Sequence, residues 1–508
     1  MHKTKSQARL SASTPLLVSI DRRARAPLQR QVYASIKRAI LEGRLAPGTR
    51  LPPTRVLAGD LGISRTTVVL AFDHLAAEGY LNGRGSAGSF VASLRIAPPV
   101  QPGRSAARRA GTSGVVTAAG LRIVALAKTA NGLERLRTTP VPFRIGEPAF
   151  DLFPAHAWAR LYARRSRRAG ASLLAYGNGA GYRPLREAIA GYVGAARGVR
   201  ATADQVILTR GVQQATDLAT RLLLAPGDTA WVEDPGYLAA RALLQVGGAR
   251  LAPIPVDTEG LVVADGVRIA PAARLAYVSP SHQFPLAVTM SLPRRLALLE
   301  WAHRANAWIL EDDFDSEFRY AGAPIAALQG LDPTERVLYL GTFSKTLFPS
   351  IRLGYLIVPP SLTDTFRAAH GLLDHFAPSL EQATLCDFIT GGHYAGHVRR
   401  MRNAYVLRMR TLLRAIAREL GDLVEVAPAE TGMHVVAWLR DRSVSDVAVS
   451  RLARQAGVEV PALSAYTAQA KCPPALLMGF AATRPLEMGP ALRIVRDAII
   501  RARRGVVA

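Results

Sequence analysis

Lysine is scarce in this sequence, and its placement points to chemistry. Of 64 lysines and arginines only six are lysine, at positions 3, 5, 37, 128, 345 and 471, so cations are supplied almost wholly as arginine. Arginine serves for surface charge and ion pairing, but its guanidinium does not give up the proton that an amine must lose before attacking a carbonyl. Lys345 stands alone between positions 128 and 471, within Gly341-Thr342-Phe343-Ser344-Lys345, and is the candidate nucleophilic amine. Carboxylates cluster in Glu311-Asp312-Asp313, at the end of the apolar run Trp308 to Leu310. In Arg210-Gly211-Val212-Gln213-Gln214 a strand gives way to a helix, whose first amides, those of Gly211, Val212 and Gln213, are suited to a phosphate.

These groups need a sheet to hold them. Short apolar strands are expected at Val206–Thr209, Thr229–Val232, Leu275–Ser279, Trp308–Asp312, Val337–Gly341 and Gly354–Val358, separated by helical stretches. That alternation implies an α/β fold with a mostly parallel sheet, and chemistry at the strand ends. After about Leu362 the pattern turns helix-rich and then returns to strands near Val424 and His434, as in a smaller α+β domain.

The N-terminal part is different in kind. Residues 1–110 hold 18 Lys+Arg against 5 Asp+Glu, half of the chain's net charge of +26, so a polyanion is the expected partner of that end. Val32, Ile36 and Ile40 mark one helix ending near Gly43, and a second follows Thr54. Leu61-Gly62-Ile63-Ser64 then makes a tight turn in which Ser64 caps a third helix with an apolar face of Val68, Phe72, Leu75 and Ala76. Two short strands around the glycine-rich 85–88 complete a winged helix-turn-helix. Arg65, Thr66 and Thr67 lie in the first turn of the third helix, where side chains reach major-groove edges; Arg55 is placed for a phosphate or base, and Arg84 at the wing tip for the minor groove. Residues 93–139, rich in Ala, Arg, Gly, Ser and Pro, read as a linker, with a helix over Leu121–Leu136.

The unit from Pro27 to Ala92 resembles the GntR family of bacterial regulators, in Leu51-Pro52-Pro53-Thr54-Arg55, Leu61-Gly62-Ile63-Ser64-Arg65-Thr66-Thr67-Val68 and Glu78-Gly79-Tyr80-Leu81. Residues 140–500 resemble fold-type I aminotransferases, centred on Gly341-Thr342-Phe343-Ser344-Lys345-Thr346-Leu347-Phe348-Pro349-Ser350-Ile351-Arg352. Together they look like the MocR (GabR-like) subfamily of GntR regulators. The resemblance implies that Lys345 binds pyridoxal phosphate covalently and that Thr342 and Arg352 hold its phosphate. It gives Asp312, with Asp313 the open alternative, as the partner of the pyridine nitrogen. Tyr237, in Asp234-Pro235-Gly236-Tyr237, stacks on the ring, and His282, in Ser281-His282-Gln283, stands where aminotransferases carry an asparagine to the ring oxygen. Tyr176 matches a tyrosine that reaches the neighbouring subunit's phosphate, which implies a homodimer, head-to-tail in this subfamily.

Two departures bear on function. Phe314 stands where the subfamily often has a tyrosine bonded to the ring oxygen, and Leu476-Leu477-Met478-Gly479-Phe480 lacks the late arginine that grips a substrate carboxylate, Arg484 being out of register. The reading is a multidomain chain: a winged helix over 20–92, a linker over 93–139, an α/β fold-type I large domain over 140–365 and a smaller α+β domain over 366–508. It is a DNA-binding regulator that holds pyridoxal phosphate and responds to a small amine or amino acid, or to the cofactor itself. Its partners are double-stranded promoter DNA, a small-molecule effector and a second copy. The rival reading is a working aminotransferase with a DNA-binding appendage. No membrane span, disulfide framework or metal site is expected from two cysteines and 49% hydrophobic residues, and the location expected is cytoplasmic.

Overall fold

The computed structural model describes residues 18, 20–22, 24, 26–83, 88–93, 116–131, 140–322 and 325–505. The chain divides into two units, residues 1–115 and 116–508.

In the first unit, helix α1 (Leu28–Leu41) buries Val32, Ile36 and Ile40 at the expected fourfold spacing. Helix α2 (Thr54–Leu61) ends on Gly62, whose φ of 61° is the left-handed conformation that turns the chain sharply. Helix α3 (Arg65–Ala77) follows at once, with Ser64 Oγ accepting from Thr67 N at 3.2 Å. Arg22 donates to Gly62 O at 2.7 Å and fixes the turn. The core of α1–α3 is closed by Leu81 and Val91 of strands β1 (Leu81–Gly83) and β2 (Ser89–Val91), which pair antiparallel as the wing. The wing-tip residue Arg84 lies outside the described residues.

The second unit opens with α4 (Ala118–Asn131), a helix that starts three residues before its expected position. There follow α5 (Ala155–Arg167), α6 (Ala171–Leu174), α7 (Arg183–Arg197), β3 (Val206–Thr209), α8 (Val212–Leu223), β4 (Thr229–Asp234), α9 (Leu238–Val246), β5 (Arg250–Asp257), β6 (Gly260–Leu261), α10 (Val263–Ile269) and β7 (Leu275–Val278). After α11 (Leu292–Arg304) come β8 (Trp308–Asp313), α12 (Leu328–Leu331), β9 (Val337–Thr342) and β10 (Gly354–Ile357). The eight strands form one sheet in the order β3-β10-β9-β8-β7-β4-β5-β6. β4, β5, β7, β8 and β9 run parallel, while β10 is antiparallel to both neighbours. The central strands β7, β9 and β10 are buried along their whole length, as a sheet covered on both faces requires. β5 escapes sequence reading because Pro253 and Pro255 interrupt it; it lies next to the sheet edge, where missing amide donors are tolerated.

The remainder is α13 (Thr363–Leu373), α14 (Ser379–Thr390), the 28-residue α15 (His393–Leu420), β11 (Val424–Val426), β12 (His434–Leu439), α16 (Asp446–Gln455), β13 (Ala475–Gly479) and α17 (Pro485–Arg503). β11-β12-β13 form an antiparallel sheet packed on α15–α17. Phe143 and Ala149 enter that same core, so the chain just after the linker is clamped to the C-terminal layer, with Phe143 bridging to Gly479. Asp234, at the end of β4, ties the two layers: its carboxylate accepts from the amides of Ala468, Gln469 and Ala470 at 2.7–2.8 Å. Among the described residues no helix is long and apolar enough to cross a membrane, and no cluster of side chains is fit to hold a metal ion.

Candidate cofactor pocket and DNA-reading helix

Lys345 follows β9, and its Nζ donates to Gly146 O at 2.8 Å. Gly146 has a φ of 74°, and a Cβ there would stand 2.6 Å from Nζ, so only glycine lets the amine lie in this cradle. Burial pulls the Lys345 amine below the usual lysine range, with Asp315, Asp312 and Glu147 pulling the other way. An amine so placed is easier to deprotonate, as a nucleophile needs.

Asp312 and Asp313 point to opposite faces of β8, and they have different partners. Asp313 accepts from Arg197 Nε at 2.8 Å and Tyr339 Oη at 2.5 Å, and Arg197 goes on to Ser281 Oγ; this is a buried brace. Asp312 accepts from Tyr277 Oη through Oδ2, while its buried Oδ1 has no partner. Burial pushes the Asp312 carboxyl up to about 7, against the opposing bond from Tyr277. Asp312 also shares the electrostatic neighbourhood of Lys345.

His282, in the loop after β7, is 2% exposed; its Nδ1 lies 2.8 Å and 3.0 Å from the two carboxylate oxygens of Asp315. Its Nε2 is buried and has no partner. Tyr237 caps α9 and meets Phe284 edge-on at 6.1 Å. Thr342 Oγ1, at the end of β9, accepts from Ser344 N at 3.1 Å. Gly354 opens β10 opposite both Thr209 and Thr342, and a Cβ on it would stand 2.8 Å from Gly211 Cα. The same sheet end therefore gathers Thr342, Gly211 with the first turn of α8 (Val212, Gln213), and Arg352, which is exposed, in left-handed conformation, two residues before Gly354. Tyr176 stands apart: it is 88% exposed, and its ring neighbours are His375 and Phe376.

Where a late arginine was sought, Leu477 is fully buried in an apolar cluster with Val436, Leu463 and Tyr466, flanked by Phe284 and Leu286. Arg484 is committed to Glu487, at 2.8 Å, outside that cluster. Sequence reading missed three pocket residues. Tyr277 looks like any buried strand aromatic, and Gly146 carries no motif. Asp315 lay in plain view, three residues after Asp312, without a partner to suggest its use.

In the N-terminal unit, Arg55, Ser64, Arg65 and Thr66 are exposed and Thr67 half-buried, so the first turn of α3 is open to a ligand. Residues 28–91 match the family described as bacterial regulatory proteins, gntR family, and residues 138–493 match aminotransferase class I and II. The chain is 39% identical over 486 residues to a probable rhizopine catabolism regulatory protein, MocR, of Rhizobium meliloti, covering 95% of this chain and 96% of that one. The chain belongs to the MocR subfamily of GntR regulators. Another relative, the pyridoxine biosynthesis transcriptional regulator PdxR of Corynebacterium glutamicum, is 32% identical, over 89% of this chain and 91% of its own. Among solved structures, kynurenine aminotransferase of Pyrococcus horikoshii matches with a TM-score of 0.67 at 26% identity, covering 74% of this chain and 94% of its own. The α-aminoadipate aminotransferase LysN of Thermus thermophilus matches at 0.66 and 26%, over 76% and 96%.

GntR regulators bind DNA, and the aminotransferase domain carries pyridoxal phosphate as its cofactor. The pocket fits that group by its own chemistry: a half-buried amine for the aldehyde, an unpartnered carboxylate oxygen for the ring nitrogen, and an unpartnered imidazole nitrogen for the ring oxygen.

Proposed function

We propose that this chain is a transcriptional regulator that binds promoter DNA as a homodimer and changes its grip when a small amine or amino acid, or pyridoxal phosphate itself, occupies the pocket. The observation that carries the reading is that the Lys345 amine and the open oxygen of Asp312 share one electrostatic neighbourhood, while buried Leu477 stands where a carboxylate clamp was expected. Lys345 would hold the cofactor through its amine, Asp312 its ring nitrogen, and Tyr237 one ring face. Thr342, Arg352 and the α8 amides of Gly211, Val212 and Gln213 would hold its phosphate. When bound, pyridoxal phosphate supplies an aldehyde that amines capture and a ring that draws electrons. An effector amine in the pocket would compete with the Lys345 side chain for its place, and a Lys345 left free to move would be the differential contact that a ligand needs to shift a conformational equilibrium. Without the clamp, binding of ordinary α-amino acids is weakened, and amines lacking an α-carboxylate are favoured.

Dimerisation rests on a surface argument. Leu174, Tyr176, Leu372 and Leu373 are 75%, 88%, 85% and 56% exposed. They lie on two segments held together by His370 Nδ1 against Gly179 O, which makes one apolar patch suited to a second copy. Through it Tyr176 would reach the partner's phosphate site. We divide the chain as 20–92 for DNA, 93–139 for the linker, 140–365 for the cofactor and 366–508 for the smaller domain, and place it in the cytoplasm. In the DNA half, Arg65, Thr66 and Thr67 would read bases, Ser64 and Arg55 would contact phosphate, and Arg84 would enter the minor groove.

The test is the visible absorption spectrum of the protein with pyridoxal phosphate, followed by borohydride reduction and peptide mapping. A visible band, with the pyridoxyl group trapped on Lys345, supports the reading. No band, or label on another residue, overturns it. Sustained transfer of amino groups to a keto acid over many turnovers would favour an aminotransferase instead.

A further inference from the structure

Phe314 carries no hydroxyl to offer a ligand, and the side chain lying against its ring is that of His282. His282 is held in one orientation from three sides. Asp315 takes its Nδ1 with both carboxylate oxygens, at 2.8 Å and 3.0 Å. The Phe314 ring lies tilted against it, with centroids 5.5 Å apart. Gly432, with a φ of 88°, lets the ring in: a Cβ there would fall 1.9 Å from His282 Cε1. A carboxylate on Nδ1 keeps the proton on that nitrogen, so Nε2 is the variable position of the ring. That atom is buried without a partner, which costs free energy unless a ligand completes it.

The other groups facing His282 leave it this role. His434, from β12, has its ring centroid 5.5 Å away, but its Nε2 is spent on Pro285 O at 2.9 Å. Burial and the neighbouring His282 hold His434 down to about 4, so it stays neutral and does not act as the donor. From β8 and the turn after β9, Asp312 and Lys345 share the neighbourhood of Asp315; in the proposed site they would go to the ring nitrogen and the aldehyde.

We infer that Asp315 is a positioning residue that fixes the His282 ring through Nδ1, so that Nε2 faces the ring oxygen of pyridoxal phosphate and, when it carries a proton, donates to that oxygen in place of a tyrosine hydroxyl. The inference rests on the proposed cofactor site and sharpens it. Such a donor stabilises negative charge on the ring oxygen, and that charge is greatest once the Lys345-linked cofactor has lost its proton. Weakening the donor therefore makes that proton harder to lose.

The test uses the full chain loaded with pyridoxal phosphate, with the pH midpoint of its visible band as the readout. Asp315→Asn should raise the midpoint by about one pH unit or more, the scale of a lost charge-assisted hydrogen bond. Phe314→Tyr added to Asp315→Asn should bring it back, because the hydroxyl supplies the missing donor. In a His282→Asn background, where only the direct charge of Asp315 on Lys345 is left, Asp315→Asn should no longer raise the midpoint, which separates positioning from a general effect of the charge. Should Asp315→Asn fail to fold, His282→Asn alone and with Phe314→Tyr reads the same quantity. An unmoved midpoint in Asp315→Asn, with cofactor still trapped on Lys345, overturns the inference and leaves the cofactor site standing. Absence of the band in the unmodified chain overturns the site itself.

Discussion

The winged helix and the cofactor pocket use charge in opposite ways. On α3 and at the start of α2, Arg65 and Arg55 are exposed, ready to trade water for phosphate or base edges. In the second unit, Asp312 of the pocket and, beyond it, Glu233 and Glu311 are buried, and burial pushes their carboxyls up to about 7, 8 and 7. Solvated cations govern affinity for a polyanion and contribute little to folding. Desolvated acids govern protonation, and through it both ligand chemistry and stability. A change in an exposed arginine of the first region should register in DNA binding alone, a change in the second in spectrum and stability.

The largest expected effect is in the pocket. Lys345→Ala should abolish covalent capture of pyridoxal phosphate, seen as loss of borohydride-stable label, while Asp313→Asn should keep the label and lower the melting temperature by loosening the Arg197 brace. Second comes pH. Glu233, Glu311, Asp312 and Glu317, the last also raised to about 7, have folded pKa values above their unfolded ones. The native state then holds protons that the unfolded state has lost, so stability declines as pH rises through 7 to 8. His434 and His397, whose folded values are lowered, act in the other direction below about 6.5, and the lowered Lys345 amine opposes the decline toward alkaline pH, one group against four. Thermal unfolding of the cofactor-free chain should therefore show a falling melting temperature from pH 6.5 to 8. A flat or rising profile would contradict the burial argument.

On the DNA side, Arg65→Ala should cost about tenfold in affinity, the scale of one lost base contact, with an unchanged melting temperature; fluorescence anisotropy against calorimetry separates the two. The smallest effect belongs to Ser64→Ala. Losing its bond to Thr67 N should destabilise the winged-helix unit by about 1 kcal/mol, measurable by chemical denaturation.

Legibility followed the same divide. The winged helix was read almost residue for residue, because caps, a glycine turn and a fourfold apolar repeat are local signals: Ser64, Gly62 and Val32-Ile36-Ile40 all fall where expected. The central strands were equally plain, being short apolar runs, whereas the proline-broken β5 was not. In the pocket, the scarcity of lysine pointed to Lys345, but the choice between Asp312 and Asp313 needed a third dimension. Strand alternation puts them on opposite faces, and only the fold shows which face holds Arg197 and which holds Tyr277. Asp315 and Gly146 act across 33 and 199 positions of sequence, on His282 and Lys345, and such distances leave no local trace.

The central claim is that cofactor on Lys345 controls DNA binding, and it is tested most directly by anisotropy titration of duplexes that the full chain selects from a random library. The titration compares the unmodified chain with Lys345→Ala, with and without pyridoxal phosphate. The account predicts that the cofactor changes affinity or half-site spacing in the unmodified chain and has no effect in Lys345→Ala. An equal response in both, or none in either, would contradict it.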